Sequence, residues 1–308
     1  MNQRVTDFII KLNQHGLLRW MPDKQFLQLI YYCRLGKRLD LKNPKTFNEK
    51  LQWIKLYDRR PEYTTMVDKY LVKDYVANLI GEQYIIPTLG VWDRFEDIDF
   101  TKLPNQFVLK CTHDSGGLVI CRDKSKFDVE KARGKISECL KKNYYWHGRE
   151  WPYKNVKPRI IAEKYMEDSS SKVIKDNGDF AEGSLTDYKF YCFNGKVRLM
   201  MMASNRFTSK NTTFDYFDRD FNWVEMTWGH PRSSKKPDKP TQFEKMIELA
   251  EIISKGLPEA RVDLYQSGNN IYFGEITFFD GSGMDAIEPE EMNNVMGGWL
   301  ELPEKRHG

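Results

Sequence analysis

No CxxC pair occurs in this sequence, and its five cysteines, at 33, 111, 121, 139 and 192, are odd in number and widely spaced. A paired-cysteine zinc site and a disulfide framework are therefore not expected. The five histidines are scattered, and only His113 stands beside other chemistry-bearing residues. No apolar run approaches the ~18 to 20 residues of a membrane span. The opening stretch MNQRVTDFIIKLNQHGLLRWM is too interrupted for a secretion signal, so a cytosolic protein is expected. There is no surplus of one charge either: 48 Lys and Arg against 44 Asp and Glu leave +4. Nucleic acid is thus not an expected partner, whereas small anionic substrates are compatible. The phosphate-loop pattern GxxxxGK[ST] is missing, as is GxGxxG opening a helix. No internal repeat is visible.

What is present suffices for a folded core: 40% hydrophobic residues and 14% aromatics. Apolar spacing predicts helix over 4–35, and Thr46 before Glu49 reads as a capping box opening another helix. PEYTTMVDKYLVKDYVANLIGE reads as an amphipathic helix closed by Gly81. Beyond residue 80 the texture changes to short β-branched and aromatic runs. QYIIPTLGVW, QFVLKCTH and GGLVICRD read as strands, the last two joined as a hairpin through HDSGG. A helix is expected in KFDVEKARGKISECLKKNYY and a strand in PRIIAEKYM. DYKFYCFNGKVRLMMMASNR reads as a hairpin turning at Asn194-Gly195. FEKMIELAEIISKGL should be helical, and two strands joined by QSGNN follow. Segments 167–185 and 229–241 read as surface loops or as lids that grip a substrate. The expected division is a helical region 1–80, one α+β subdomain over 81–166 and a second over 167–308.

Three segments concentrate chemistry. In FVLKCTHDSGG, Lys110 ends a strand, and Ser115, Gly116 and Gly117 form a loop whose N–H groups can crowd around an anion. A plain hairpin loop is the competing reading. In IIAEKYM an apolar strand runs into Glu163, Lys164, Tyr165 and Met166, offering a flat slot and backbone groups at its rim. An ordinary strand end with a solvated Glu-Lys pair competes with that. In RVDLYQSGNNIYFGEITFFDGSGM, Arg261 and Asp263 are two apart and share a strand face, and Glu275 lies among Phe273, Ile276 and Phe278. Carboxylates in such surroundings require a cation or donors. Mg2+ takes one or two carboxylates and completes its shell with phosphate oxygens and water. An internal ion pair between Arg261 and one carboxylate is the alternative.

The order of these pieces, from the Lys strand and Gly loop through EKYM, the charged hairpin, R-x-D, E-x-T and DGSGM, resembles the ATP-grasp superfamily, with motifs like those of D-alanine–D-alanine ligase. LKNPKTFNEKLQWIKLYDRRPEYTTMVDKYLVKDYV, IGEQYIIPTLGVW and DYKFYCFNGKV resemble more closely the TupA-like ATP-grasp family, associated with surface-polysaccharide and teichuronopeptide biosynthesis. The resemblance implies an α+β fold in which two subdomains hold ATP between them. It implies that Lys110 and Lys189 contact phosphates and that the loop of His113, Ser115, Gly116 and Gly117 closes over them, with His113 either packing the loop or touching a ligand. Glu163 would approach the adenine amino group, Lys164, Tyr165 and Met166 the base edge, and Asp187 the ribose. Asp263 and Glu275 would bind Mg2+, and Arg261 would stabilise the transferred phosphoryl group. Thr277 stands where the superfamily usually has Asn, so it would be the shorter, neutral ligand of a second Mg2+. Asp280 could offer a further oxygen.

The implied activity is ATP-dependent carboxylate–amine ligation through an acyl-phosphate. The expected substrates are a small-molecule or glycan carboxylate, such as a uronic acid, and an amine such as an amino acid. A glycosyltransferase and a nucleotide-binding protein without ligase activity remain alternatives. Oligomeric state and contact of the N-terminal helix with a membrane are left open.

Overall fold

The structure is a computed structural model and describes residues 3–167, 173–174, 180–181, 186–204 and 212–305. Its helices are α1 Gln3–Gln14, α2 Asp23–Leu35, α3 Phe47–Tyr57, α4 Glu62–Val67, α5 Leu71–Ile80, α6 Val129–Leu140, α7 Tyr145–Gly148, α8 Phe243–Ile253 and α9 Glu290–Trp299. The strands begin with β1 Thr88–Trp92, β2 Phe107–Cys111, β3 Leu118–Cys121 and β4 Ile160–Lys164, followed by β5 Val173–Ile174 and β6 Phe180–Ala181. Next come β7 Asp187–Phe193, β8 Lys196–Ser204, β9 Thr213–Phe217, β10 Trp223–Val224 and β11 Thr227–Trp228. β12 Glu259–Ser267, β13 Asn270–Thr277 and β14 Ile287–Glu288 complete them.

Two antiparallel sheets organise the α+β fold. The smaller has the order β1-β4-β2-β3, the larger β10-β9-β8-β7-β12-β13. The smaller sheet has its own core, in which Phe107, Leu109, Ile160 and Ala162 meet Ala132 and Ile136 of α6. The larger sheet shares one core with α8 and with α3, α4 and α5. Helices α3, α4 and α5 thus pack on the larger sheet, so α5, which delivers Lys73, is braced from that side, while α1 and α2 form a separate cluster with Met284. Among the described residues no helix is long and apolar enough to cross a membrane.

The expected capping box is present: Thr46 accepts from Glu49 N, and Glu49 accepts from Thr46 N. Gly81 closes α5, donating to Ala77 O. Asn194 and Gly195 both take positive φ, 50° and 74°, as a tight turn between twisted strands requires. Two expected helices are each broken in two. Residues 4–35 divide around Gly16, at φ 74°, and Pro22, which precedes α2. Residues 61–80 divide at Asp68, whose carboxylate accepts from Tyr70 N and Leu71 N and so starts a new helix. Strand β9 and helix α9 had no counterpart in the sequence reading.

Loop 229–241 is packed rather than detached. Phe214 N donates to Pro231 O and Ser233 N to Asp215, tying the loop to the strand β9 beneath it. Apart from Glu167, Val173, Ile174, Phe180 and Ala181, segment 167–185 lies outside the described residues.

Candidate active site

The smaller sheet supplies one wall. On β2, Lys110 sits two residues beyond Val108, which pairs with Glu163 of β4. Lys110 Nζ lies 2.6 Å from Glu163 Oε2, and Lys73 of α5 pairs with the other carboxylate oxygen. Lys73 also donates to Ile86 O at 2.6 Å, anchoring it to the chain entering β1. Burial works to raise the Glu163 pKa, but Lys110 and Lys73 outweigh it and hold the carboxyl down to about 2.

The larger sheet supplies the facing wall, and its register explains the grouping. Asp263 of β12 lies directly opposite Lys189 of β7 on one side and Glu275 of β13 on the other. Tyr265 opposes Asp187, and Arg261 opposes Thr277. Because alternate residues share a face, these side chains form one polar row on an otherwise apolar sheet. The pairing passes from Asp263–Glu275 to Leu264–Phe273, leaving Gly274 as the extra residue of a bulge. A Cβ there would lie 2.8 Å from the Tyr265 ring and 3.0 Å from Asp263 O. Glycine is required at that point.

The row is densely paired. Lys189 bridges Asp187 and Asp263. Arg261 grips Asp263 through Nε at 2.7 Å and Nη2 at 2.8 Å, reaches Glu275 at 3.2 Å and Asp280 at 2.5 Å. Lys69 meets Glu275 from the far side at 3.2 Å. Burial raises the Asp263 pKa to about 6 against the pull of Arg261 and Lys189. Glu275 moves the opposite way: burial is overcome by Lys69, Arg261 and Lys189, which keep it well below the usual carboxylate range.

Between the walls lies a cavity of about 240 Å3. Lys110, Ser115, Gly117 and Glu163 line it from the smaller sheet, with Lys164, Tyr165 and Met166 at its end. Asp187, Lys189, Asp263 and Glu275 line it from the larger. Four expected site residues stand elsewhere. His113 does not line the cavity: it is 2% exposed, and its Nε2 lies 3.2 Å from both Cys139 O and Lys142 O. Its ring packs the loop, the first of its two readings. Gly116 is in the loop but not in the wall. Arg261 and Thr277 line a second cavity of about 340 Å3, which shares Lys69, Ser115, Lys189 and Glu275 with the first. Lys69, Arg122 and Tyr265, which also line the first cavity, and Lys73, which pairs with Glu163, went unnoticed in the sequence.

Gly117 has a packing reason to be glycine, since a Cβ would lie 2.7 Å from Cys111 Sγ. Lys69 N donates to Thr112 O, so the loop after β2 is held to the start of α5.

Among the described residues no three His, Cys, Asp or Glu side chains converge as a metal cage. Asp263 and Glu275 nevertheless offer two carboxylates in register, and the Glu275 side chain is 32% exposed and borders both cavities. That donor set suits Mg2+, which binds one or two carboxylates and draws its remaining oxygens from phosphate and water. Asp263 has its oxygens engaged by Arg261 and Lys189, so Glu275 is the more accessible ligand.

Several solved structures are similar to this chain. D-alanine–D-alanine ligase from Bacillus anthracis complexed with ATP is 16% identical, with a TM-score of 0.38 over 75% of this chain and 55% of that one. The chain thus spans little more than half the length of that ligase. The Helicobacter pylori D-alanine–D-alanine ligase is 13% identical, with a TM-score of 0.43 over 82% and 69%. The ATP-grasp ligase PsnB, complexed with a minimal precursor, Mg and ADP, is 9% identical, with a TM-score of 0.39 over 98% and 75%. No curated protein sequence matches. The sequence profile of the TupA-like ATP-grasp family matches residues 49–301, which takes in both sheets and both walls of the cleft. The chain belongs to the TupA-like ATP-grasp family.

Proposed function

We propose that this protein is an ATP-dependent carboxylate–amine ligase. The observation that carries the reading is the junction of two cavities at Lys69, Ser115, Lys189 and Glu275. One side suits a nucleotide, the other a second molecule, and the charged junction is where a phosphoryl group would pass between them. ATP would lie in the first cavity with its base near Glu163, Lys164, Tyr165 and Met166 and its ribose near Asp187. Lys110 and Lys189 would hold its phosphates. Asp263 and Glu275 would hold Mg2+, with Thr277 offering a hydroxyl, and the bound metal would neutralise phosphate charge. Arg261 would stabilise the charge developing on the transferred group.

In this reaction a substrate carboxylate oxygen attacks the γ-phosphorus, ADP leaves, and the acyl-phosphate is attacked by an amine with release of phosphate. The protein contributes positioning and electrostatic stabilisation rather than covalent chemistry. The family's association with surface polysaccharides supports a uronic-acid carboxylate and an amino-acid amine. A glycosyltransferase finds less support. The two DxD triplets, Asp97–Asp99 and Asp218–Asp220, border neither cavity. Asp97 pairs with Arg94, and Asp99 and Asp218 cap local turns.

The test is incubation with ATP, Mg2+, glucuronate and hydroxylamine, which traps acyl-phosphates as hydroxamates. Hydroxamate and ADP should appear together and require the carboxylate. ADP release indifferent to any carboxylate offered, or turnover of a nucleotide-sugar instead, would overturn the reading.

A further inference from the structure

Past Glu275 the second cavity changes character. The end next to the first cavity carries Lys69, Lys189 and Arg261, while the remaining charged groups are Glu150, Asp280 and Asp285. Tyr144, Tyr153, Trp228 and Phe279 give the walls flat apolar faces. Two of the three acids are already engaged: Asp280 by Arg261 and Tyr191, and Asp285 by Arg34 at 4.0 Å.

Glu150 is different. It is 2% exposed, borders the cavity, and its Oε1 has no hydrogen-bond partner. The nearby buried amine of Lys55 does not fill that vacancy. It donates instead to Gln52 Oε1, Gly148 O, and Ser282 O and Oγ, between 2.7 and 3.1 Å. Ser282 and Lys55 stand close enough to favour the charged form of Glu150, yet Oε1 is left without a donor. A buried carboxylate oxygen without a donor is costly. A cationic donor brought by a bound molecule would remove that cost.

We propose that this cavity receives the amine substrate as a primary ammonium carried on a body with a flat apolar face, and that Glu150 Oε1 accepts a hydrogen bond from the ammonium. The inference rests on the ligase reading and names its second substrate class. Glu150 takes one proton from the ammonium, leaving a neutral amine and a carboxylic acid. The amine lone pair attacks the acyl carbon. The C–N bond forms as the C–O bond to phosphate breaks, and phosphate departs with that electron pair and the second proton. Burial pushes the Glu150 carboxyl up to about 7 against the pull of Lys55, which makes it a stronger base than an ordinary glutamate.

The test compares benzylammonium with its neutral isostere benzyl alcohol by ligand-observed NMR, with ADP and Mg2+ present. The wild-type protein should prefer benzylammonium by about tenfold or more, the worth of one charge-assisted hydrogen bond. Glu150→Gln should abolish the preference. Glu150→Asp, which draws the carboxylate back by one methylene, serves if Glu150→Gln does not fold, and should bind benzylammonium several-fold more weakly than wild type. Equal binding of the two probes to wild type, or an unchanged preference in the variant that folds, would overturn the proposal. Loss of hydroxamate formation with the ammonium preference intact would overturn the ligase reading alone.

Discussion

Asp263 and Glu275 face one another across the β12–β13 ladder, and Arg261 Nη2 bridges them, 2.8 Å from the first and 3.2 Å from the second. Two like charges directly opposite on neighbouring strands repel. The bridging guanidinium, with Lys189 on Asp263 and Lys69 on Glu275, offsets that repulsion. Lys189 still pairs Asp263 and Lys69 still pairs Glu275, so Arg261→Gln should destabilise the fold by about 1.5 to 3 kcal/mol, the worth of charge-assisted hydrogen bonds rather than of a stripped ion pair. Millimolar Mg2+ should restore part of the loss, because a divalent cation held by these carboxylates would neutralise the same charges. Urea unfolding with and without Mg2+ measures both effects. Stability unchanged by the substitution would show that the pair needs no bridge.

The metal assignment has its own test. Glu275→Gln and Asp263→Asn keep shape and remove the charge Mg2+ requires. Single-turnover ADP release with saturating Mg2+ should be abolished in both while the folded state is retained. Near-wild-type rates in both would dismiss these carboxylates as ligands.

Lys110 and Lys73 share Glu163, and the sharing separates two roles. On the proposed reading, Lys110→Ala would remove a phosphate contact while leaving Glu163 paired with Lys73, so the base edge would keep its carboxylate. ATP affinity should fall by about 1.5 to 3 kcal/mol, the worth of a charge-assisted contact. Adenosine affinity should hardly change. Calorimetric titration of both ligands checks this, and equal losses would move Lys110 away from the phosphates.

The strands that bear the chemistry were legible in the sequence because each is a short apolar run interrupted by charge. The alternation that puts Arg261 and Asp263 on one face survives into the structure unchanged. What the sequence could not show is long-range pairing. Lys73 reaches Glu163 over eighty-nine intervening positions, and no local pattern announces that contact. His113 follows the packing reading of its two, since a residue beside a Gly-rich loop can turn its ring into the core. Glu150 gave no signal at all, because its significance lies in an oxygen left without a partner once α3, the turn at 280–283 and the chain after α7 meet.

The depressed Glu163 pKa predicts an acid limb of stability. Its folded value, about 2, lies below the model-compound value of 4.5. The pairing with Lys110 and Lys73 therefore contributes fully above pH ~4.5 and is lost as pH falls toward ~2, an effect on the order of 3 kcal/mol. In Glu163→Gln that part of the acid limb should vanish, and the variant should be less stable at neutral pH. Urea midpoints from pH 2 to 7 test it; parallel curves for the two proteins would contradict the assignment.

The basic loop 229–241 invites a role in capturing an anionic acceptor, and its contacts argue otherwise. Arg232 lies over the Trp223 ring at 4.1 Å, Lys236 donates to Phe221 O at 2.8 Å, and Lys239 pairs with Glu244. These side chains fasten the loop to the sheet edge, their stems covering aromatic faces. Arg232→Ala should cost about 1 kcal/mol of stability through the lost stacking, whereas Lys235→Ala, at an exposed position, should cost almost nothing. Neither should change the acceptor's KM at low ionic strength. Exposed steering charges would behave in the opposite way, raising KM most where salt screens least and leaving the unfolding midpoint unchanged. Denaturation midpoints read beside acceptor kinetics at low and high salt decide between a fastener and a steering patch.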